Sequence, residues 1–460
     1  MPKQATFTQG STLKHVVVMS ATGALGLMCM FLVDLVDMWF LSMLGKQEAV
    51  AAVGFASTIL FFTISISIAV AIAATALISR AVGAGDMALA KRRSVNSLVY
   101  GVVFSSFLVW LIYPNIPHIL LYIGASSRTL DLSIEYLQVL IWGMPAVMVA
   151  MIGSGIMRAI GDAKRAMYAT FLGGLVNAVL DPILIFGFGL EVQGAAIASL
   201  IARFSMVGIT YYCVIHLHKM LAQFDLLDFY KDVRVISLIA IPAMLTNLSS
   251  PLANLIVMEH SAAFGDDVVA GIAIIGRIIP VVFGGLFALS GAVGPILGQN
   301  FGAKSFERMK STLTSAVIYS FCYCLVMCLL LFVSQDWLIE TFNAKAATAE
   351  LIRFFASFIS FSFFFQSLLF IALATFNNLG RPYVGTALNF ARATLGTWPL
   401  IIIFSWGIGA EGILFGQAVG SIIFGCIGFY MARKYVAELE HKDAELLRID
   451  PSINYDELAS

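Results

Sequence analysis

The chain has 460 residues, of which 60% are hydrophobic and only 12% are charged. Soluble globular proteins contain about 45–50% apolar and about 25% charged residues, so this composition excludes an ordinary soluble protein and indicates an integral membrane protein. The 27 basic and 27 acidic side chains give a formal net charge of zero, so the overall charge gives no reason to expect a nucleic-acid partner. The six cysteines lie inside apolar stretches, so we expect neither a disulfide framework nor a cysteine-bound metal ion.

Apolar stretches of about 20 residues, the length that crosses the hydrocarbon of a bilayer, predict twelve transmembrane helices and an all-α integral membrane fold. They are expected at residues 15–44, 49–79, 94–122, 131–158, 166–188, 194–217, 235–263, 268–298, 311–334, 347–377, 383–406 and 411–434. The polar tail after Arg433 is expected to form a soluble helix with a frayed end.

The distribution of lysine and arginine predicts the orientation of the chain. With the N-terminus inside, 20 of these residues fall in cytoplasmic segments, whereas the outside loops hold only Lys46, Arg128 and Lys345. Both termini are therefore expected in the cytoplasm.

The two halves of the chain repeat each other. The segment SRAVGAGDMALAKRR aligns with GQNFGAKSFERMKS, which places Gly83 opposite Gly302. The segment MRAIGDAK aligns with FNNLGRPY, which places Gly161 opposite Gly380 at the same separation along the chain. An even number of helices separates equivalent segments, so the halves have the same orientation in the membrane.

This repeat predicts two pseudo-symmetric six-helix bundles around a central cleft. The expected organisation is an N-terminal lobe at 1–217, a cytoplasmic linker at 218–234, a C-terminal lobe at 235–435 and a cytoplasmic tail at 436–460.

Acidic residues inside the predicted helices are the strongest functional signal. An ionised carboxylate at the middle of a bilayer helix costs roughly 2.5–3.5 kcal/mol even on the lenient insertion scale. Asp34 and Asp37 share one face of the first helix, and Asp181 lies at a similar depth on the fifth, just before Pro182. We expect Asp37 and Asp181 to bind and release a cation. Asp34 either joins them or keeps a proton and donates a hydrogen bond.

Three uncharged polar residues fall in the same layer: Asn177, Ser199 and Tyr136. Carboxylate, amide and hydroxyl oxygens are hard ligands that suit a proton-sharing network or a small cation, here Na⁺ at Asp37, Asn177 and Asp181. No other metal site is expected. The structural alternative is that these groups only satisfy one another. No lysine or arginine of the first bundle is expected at this depth.

The second bundle differs from the first. Trp398-Pro399 stands where Asp181-Pro182 would be, so the ion site is expected in the first bundle alone. Arg277 and Arg392 fall within helices of the second bundle, and the sequence does not identify their partners.

The central cleft is expected to be apolar and aromatic, with Phe361, Phe365 and Met144 as candidate substrate contacts. Aromatic and methionine surfaces accept varied ligands. Lipid-facing packing is the structural alternative for these residues.

Four motifs together resemble the multidrug and toxic compound extrusion (MATE) family of secondary transporters over about residues 12–435. They are LVDMWFLSMLGKQEAVAAVGFAS, SRAVGAGD with its repeat QNFGAKS, MRAIGDAK with NNLGRPY, and NAVLDPILIFGFGLEVQGAAIAS. The resemblance implies export of drug-like or metabolite molecules by antiport with H⁺ or Na⁺, without an enzymatic activity or a cofactor. It places Asp37, Asn177, Asp181 and Ser199 at the cation site of the N-terminal lobe, with Tyr136 nearby. It also implies a monomer in the lipid of the bacterial inner membrane.

Two departures from the family pattern stand out. The first helix has Gly23 and Gly26 where a proline is usual, and the second lobe lacks an evident acidic pair. The alternative function is a flippase for lipid-linked precursors, which would need more cationic residues in the cleft. An ion channel or receptor is disfavoured by the duplicated bundles. The choice between H⁺ and Na⁺ stays open, because oxygen ligands suit both.

Overall fold

The computed structural model describes residues 5–44, 46–342 and 344–449, and these residues are helical with short connections and no strands. Sixteen α-helices follow one another in this part of the chain. They are α1 (Thr12–Ser42), α2 (Gln47–Gly83), α3 (Met87–Ile112), α4 (Ile116–Tyr122), α5 (Ser127–Leu140), α6 (Met144–Ala159), α7 (Ala163–Pro182), α8 (Glu191–Tyr211), α9 (Leu226–Ala262), α10 (Asp266–Gly302), α11 (Phe306–Thr341), α12 (Ala346–Phe354), α13 (Ser362–Leu379), α14 (Pro382–Ala393), α15 (Trp398–Ile408) and α16 (Glu411–Ile449).

The predicted number of membrane spans is confirmed. Within the described residues, 12 helical segments are long and apolar enough to cross a bilayer. Several spans consist of two helices in series, and α14 with α15 forms the eleventh. Helices α1 to α8 make up the N-terminal half and α9 to α16 the C-terminal half.

Two predicted spans are broken rather than continuous. The tenth, expected at 347–377, consists of α12, a wide π-helical turn at Phe355–Ile359 and α13. The eleventh, expected at 383–406, is interrupted at 394–397. Pro399 has no N–H to continue the hydrogen bonding of α14, and its ring clashes with the carbonyl four residues back. The periodicity of apolar residues does not reveal such breaks, because it continues across them.

The segment expected to be a linker at 218–234 is partly helical, because α9 begins at Leu226. Its first turns are tied to α3 through Asp232, whose carboxylate accepts hydrogen bonds from Asn96 over 2.6 Å and from Arg92 over 3.2 Å. At the other end of the chain, the expected tail helix is continuous with the last span, since α16 extends to Ile449.

Helices α2 and α10 cross at the side of the protein where the described residues begin, near Phe7, and we call this the inner side. A Cβ on Gly83 would lie 2.0 Å from the carbonyl oxygen of Gln299, and one on Gly302 would lie 2.0 Å from that of Arg80. Arg80 and Gln299 are themselves repeat counterparts, because they have the same separation along the chain as the two glycines. The crossing is therefore pseudo-twofold, and it leaves no room for a side chain at either glycine.

Hydrogen bonds between the halves follow the same symmetry. Arg80 Nε donates to the carbonyl oxygen of Asn378 over 2.6 Å, and Gln299 Nε2 donates to that of Ala159 over 2.7 Å. The alignment of the repeats also pairs Ala159 with Asn378. The N-terminal segment adds a further bond, from the Phe7 backbone N–H to Gln299 Oε1 over 2.8 Å. Together these contacts seal the inner side.

Farther from the inner side the two halves separate along α1 and α10. A Cβ on Gly23 of α1 would lie 3.1 Å from Ala288 Cβ, so the helices touch there. Val281 and Arg277 lie on the same face of α10 as Ala288, two and three turns farther out, and both are exposed. The face of α10 that touches α1 at Ala288 is therefore uncovered farther from the inner side.

Candidate functional site

The predicted polar layer meets at Asn177 of α7, which lies between α1 and α8. Its Nδ2 group donates to Asp37 Oδ1 and to Asp181 Oδ2, over 2.9 Å in each case. A primary amide has two N–H donors, so both are used on carboxylates. The structure thus brings together the two acids that the sequence places at similar depth on different helices.

A hydroxyl group continues this network. Ser199 of α8 donates from Oγ to Asn177 Oδ1 over 3.1 Å. The Tyr136 side chain of α5 lies close to Ser199. The donors therefore point from Ser199 through Asn177 towards the carboxylates, which is the polarity that ionised acids require.

Asp181 is the deepest member of the cluster, with no exposed surface. Its Oδ2 atom accepts from Asn177, whereas Oδ1 is buried without a hydrogen-bond partner among the described groups. The carboxyl groups of Asp37 and Asp181 also interact with each other. Two neighbouring carboxylates repel each other when both are ionised, so the pair is suited to share a proton or hold a cation between them.

Local sequence explains how α7 and α8 come so close. Helix α7 ends at Pro182, and the chain then makes a π-helical turn at Ile183–Gly187. Gly194 on α8 lies against this turn, because its Cβ would be 2.8 Å from the carbonyl oxygen of Leu184. A larger residue would push α8 away and carry Ser199 out of reach of Asn177.

An arginine of the N-terminal half lies beside this layer, contrary to the sequence-based expectation. Arg203 follows Ser199 by one turn of α8, and its Nη1 group donates to the carbonyl oxygen of Leu140 over 3.1 Å. Its positive charge acts on Tyr136. Gly143 gives it space, since a Cβ there would lie 2.9 Å from Arg203 Cδ. The spacing of one helical turn from Ser199 is the signal that would have identified it.

The remaining predicted site residues lie elsewhere or are not described. The Asp34 side chain lies outside the described residues. Met144 is 2% exposed in a hydrophobic cluster of the N-terminal half, so it does not line a cleft in this conformation, and its role as a substrate contact stays a prediction. Phe361 and Phe365 are half-buried and belong to a ring cluster with Phe364. Phe361 also contacts Phe321 of α11 within the C-terminal half.

Comparison with known proteins agrees with this architecture. The MatE family model matches residues 24–183 and 242–403, which is more than half of the chain. The chain is 28% identical over 439 residues to a FAD transporter of Shewanella oneidensis, covering 93% of this chain and 96% of that protein. It is 24% identical over 431 residues to the multidrug export protein MepA of Staphylococcus aureus, covering 90% and 92% respectively.

Solved structures share the fold. The outward-facing conformation of a multidrug resistance MATE family transporter of the MOP superfamily superposes with a TM-score of 0.88 at 23% identity, over 95% of this chain and 99% of that one. A Vibrio cholerae MATE transporter, VcmN, gives 0.89 at 24% identity, over 94% and 98%. With the family match, the twelve spans and the duplicated halves, the chain belongs to the MatE family and is an efflux transporter of organic molecules rather than an enzyme.

Proposed function

We propose that this protein exports organic molecules by antiport with H⁺ or Na⁺, and that the coupling cation binds at Asp37, Asn177 and Asp181. The observation that carries the proposal is the buried, unpartnered Oδ1 atom of Asp181 beside the Asp37 carboxyl group. A buried acceptor without a partner is costly unless something binds it, and a proton or a small cation would do so.

The hydrogen bonds suggest how occupancy changes the structure. Without a cation, both carboxylates need the N–H donors of Asn177, which hold α1 against α7. A proton on one acid would let the two carboxyl groups bond to each other, and Na⁺ would bind the oxygens directly. In either case the carboxyl groups no longer depend on the N–H donors of Asn177, so α1 is free to shift relative to α7. The coupling cation and the exported molecule need only prefer different states of the protein, by the few kcal/mol typical of such coupling.

The setting of this activity is proposed from the charge distribution and the relatives. The excess of lysine and arginine in alternate loops supports a bacterial inner-membrane protein with both termini in the cytoplasm. We propose that it works as a monomer surrounded by lipid. Its relatives are described as a FAD transporter and a multidrug exporter, so we propose small organic substrates that include both flavin nucleotides and drugs.

Transport in proteoliposomes tests the proposal. Gradients of Na⁺ and of pH are imposed separately, with FAD and a panel of cationic and neutral drugs as substrates. The wild type is expected to transport at least one compound under one of the two gradients. Asp37→Asn and Asp181→Asn are each expected to reduce that transport by at least ten-fold.

Asp131→Asn is the matched control, because Asp131 lies on α5, which also carries Tyr136, but is exposed to solvent. It should transport like the wild type. Gradient-driven transport that persists in both site variants, with normal insertion into the membrane, would exclude these acids from coupling.

A further inference from the structure

The C-terminal half contains a polar cluster on the helices equivalent to those of the cation site. Asn389 Nδ2 of α14 donates to Ser249 Oγ of α9 over 2.6 Å. In the N-terminal half, Asn177 of α7 makes the same kind of bond to Asp37 of α1. Each bond joins the fifth span of its half to the first, and each pair is separated by 140 residues.

The two clusters lie on the same helix faces but at different depths. The alignment of the repeated glycines pairs Asp37 with Ile256 and Asn177 with Gly396. Both residues of the C-terminal bond come two helical turns before these aligned positions, so the C-terminal cluster lies about 10 Å nearer the inner side. The side chains of the two clusters therefore lie on corresponding faces of their helices but at different depths in the membrane.

The C-terminal cluster has the opposite polarity. Asn389 donates to a hydroxyl group at Ser249, whereas Asn177 donates to the carboxylate of Asp37. The amide oxygen of Asn389 accepts from the charged Arg392 Nε over 3.4 Å, whereas that of Asn177 accepts from the neutral hydroxyl of Ser199. Across the part of the chain that the structure describes, Asn389 is the only hydrogen-bond partner of the Arg392 side chain. No carboxylate of a described residue contributes to the electrostatic surroundings of Arg392.

Arg392 is placed so that a ligand can reach it. Asn389 and Ser249 are buried, but Arg392 is only partly covered, and its two terminal amino groups make no hydrogen bond to the described residues. A guanidinium within the membrane normally has an anionic or carbonyl partner, because leaving it unpaired is costly. Its planar fork matches a phosphate or a carboxylate through two parallel hydrogen bonds.

We propose that this cluster, formed by Arg392, Asn389 and Ser249, is a binding site for a phosphate or carboxylate group. The inference deepens the proposed export function, because it assigns anionic organic molecules, such as nucleotide-like compounds, to the C-terminal half. The anion is either part of the exported molecule or a free inorganic ion that enters the same site.

Equilibrium binding to the purified full-length protein in detergent tests this site. The organic probes are riboflavin and FMN, which differ by one phosphate group, and flavin fluorescence polarisation reports their binding. Inorganic phosphate is the third probe, measured by its effect on Tm and by competition with FMN. The wild type is expected to bind FMN at least ten-fold more tightly than riboflavin. Arg392→Gln is expected to remove that preference, and Arg392→Lys to retain part of it.

Arg353→Gln is the control, because Arg353 is exposed and paired with Asp336. It should keep the wild-type preference. A free anion binds at the site if inorganic phosphate competes with FMN at the same concentrations that raise the Tm of the wild type. The Tm of Arg392→Gln should then not rise. An FMN preference that inorganic phosphate does not displace would identify the phosphate of the organic molecule.

The proposal is overturned if the wild type binds FMN and riboflavin equally and inorganic phosphate has no effect on Tm, or if any preference survives in Arg392→Gln. These measurements use no ion gradient, so they are independent of cation coupling. Failure of antiport in proteoliposomes would contradict the export mechanism and leave the FMN preference to be judged separately.

Discussion

Arg80 of the N-terminal half donates a hydrogen bond over 2.6 Å to the carbonyl oxygen of Asn378 in the C-terminal half. The guanidinium also lies 5.7 Å from the ring centre of Phe301. Hydrogen bonds to charged groups contribute about 1.5–3 kcal/mol, so this one contact can shift the balance between closed and open inner states by roughly ten-fold to a hundred-fold.

Arg80→Ala is therefore expected to open the inner side more often. The measurement is the alkylation rate of a cysteine introduced at Ser79, which is buried at the crossing, in a background without native cysteines. Arg80→Gln is the matched comparison, because Gln299 makes the equivalent bond in the other half. We expect the introduced cysteine to be alkylated faster in Arg80→Ala than in the protein that retains Arg80. In Arg80→Gln we expect a rate close to that of the protein that retains Arg80. Equal rates in all three would show that this bond does not contribute to the seal.

The cation site makes a graded prediction for the two neutral residues. Asn177→Ala removes the donors to both carboxylates, whereas Ser199→Ala removes one hydrogen bond to the amide oxygen. A hydrogen bond to a neutral group is worth about 0.5–1.5 kcal/mol, which is at most about ten-fold in affinity. We expect Asn177→Ala to abolish gradient-driven transport in proteoliposomes, and Ser199→Ala to weaken the apparent affinity for the coupling cation by a few-fold. The reverse order of severity would contradict the central position of Asn177.

Part of this arrangement is predictable from the sequence, because burial of charge in hydrocarbon is costly wherever it occurs. That rule singles out Asp37 and Asp181, and depth counting then places Asn177 and Ser199 in their layer. The repeated glycines are predictable as well: Gly161 and Gly380 both adopt the left-handed conformation, with φ of 88° and 93°, at equivalent turns.

Other features could not be predicted, because they depend on how separate helices approach one another. Depth counting misses Arg203 because it follows a single helix, while the long arginine side chain reaches the Leu140 carbonyl on another. The bond between Ser249 and Asn389 is displaced by two turns from the position that the repeat alignment gives, so alignment alone does not find it. Met144 fits the cleft by its chemistry, but its backbone position faces the core.

Asp162 predicts a pH dependence of stability at the inner side. Burial alone would raise its pKa, but hydrogen bonds from Arg165 and His218 outweigh this effect and hold the pKa below its usual range. It also accepts a hydrogen bond from the Arg165 backbone N–H at the start of α7. A lowered pKa means that the stabilisation is complete above the unfolded value of about 4 and is lost as the pH falls through the folded value.

Asp162→Ala should therefore lower the stability of the protein near neutral pH by about 1 kcal/mol, as expected for loss of a helix cap. The difference in Tm between wild type and variant should shrink as the pH is lowered below about 4. Thermal unfolding in detergent across this pH range measures both quantities. A difference that is constant with pH would mean that the carboxylate charge is not the stabilising element.

Arg203 provides a test of electrostatic control at the cation site. Its charge acts on Tyr136, which lies close to Ser199. We therefore expect it to oppose the arrival of a second positive charge at Asp37 and Asp181. A unit charge at about 10 Å and an effective dielectric constant of about 20 is worth roughly 1.7 kcal/mol. Arg203→Gln should therefore raise the apparent affinity for the coupling cation by about ten-fold and slow its release, so that the maximal transport rate falls.

Arg203→Lys keeps the charge and should retain the wild-type affinity even if the bond to Leu140 is lost. Equal affinities for the cation in Arg203→Gln and the wild type, measured as the half-saturating concentration in proteoliposomes, would show that this arginine acts only on the packing of α5 against α8.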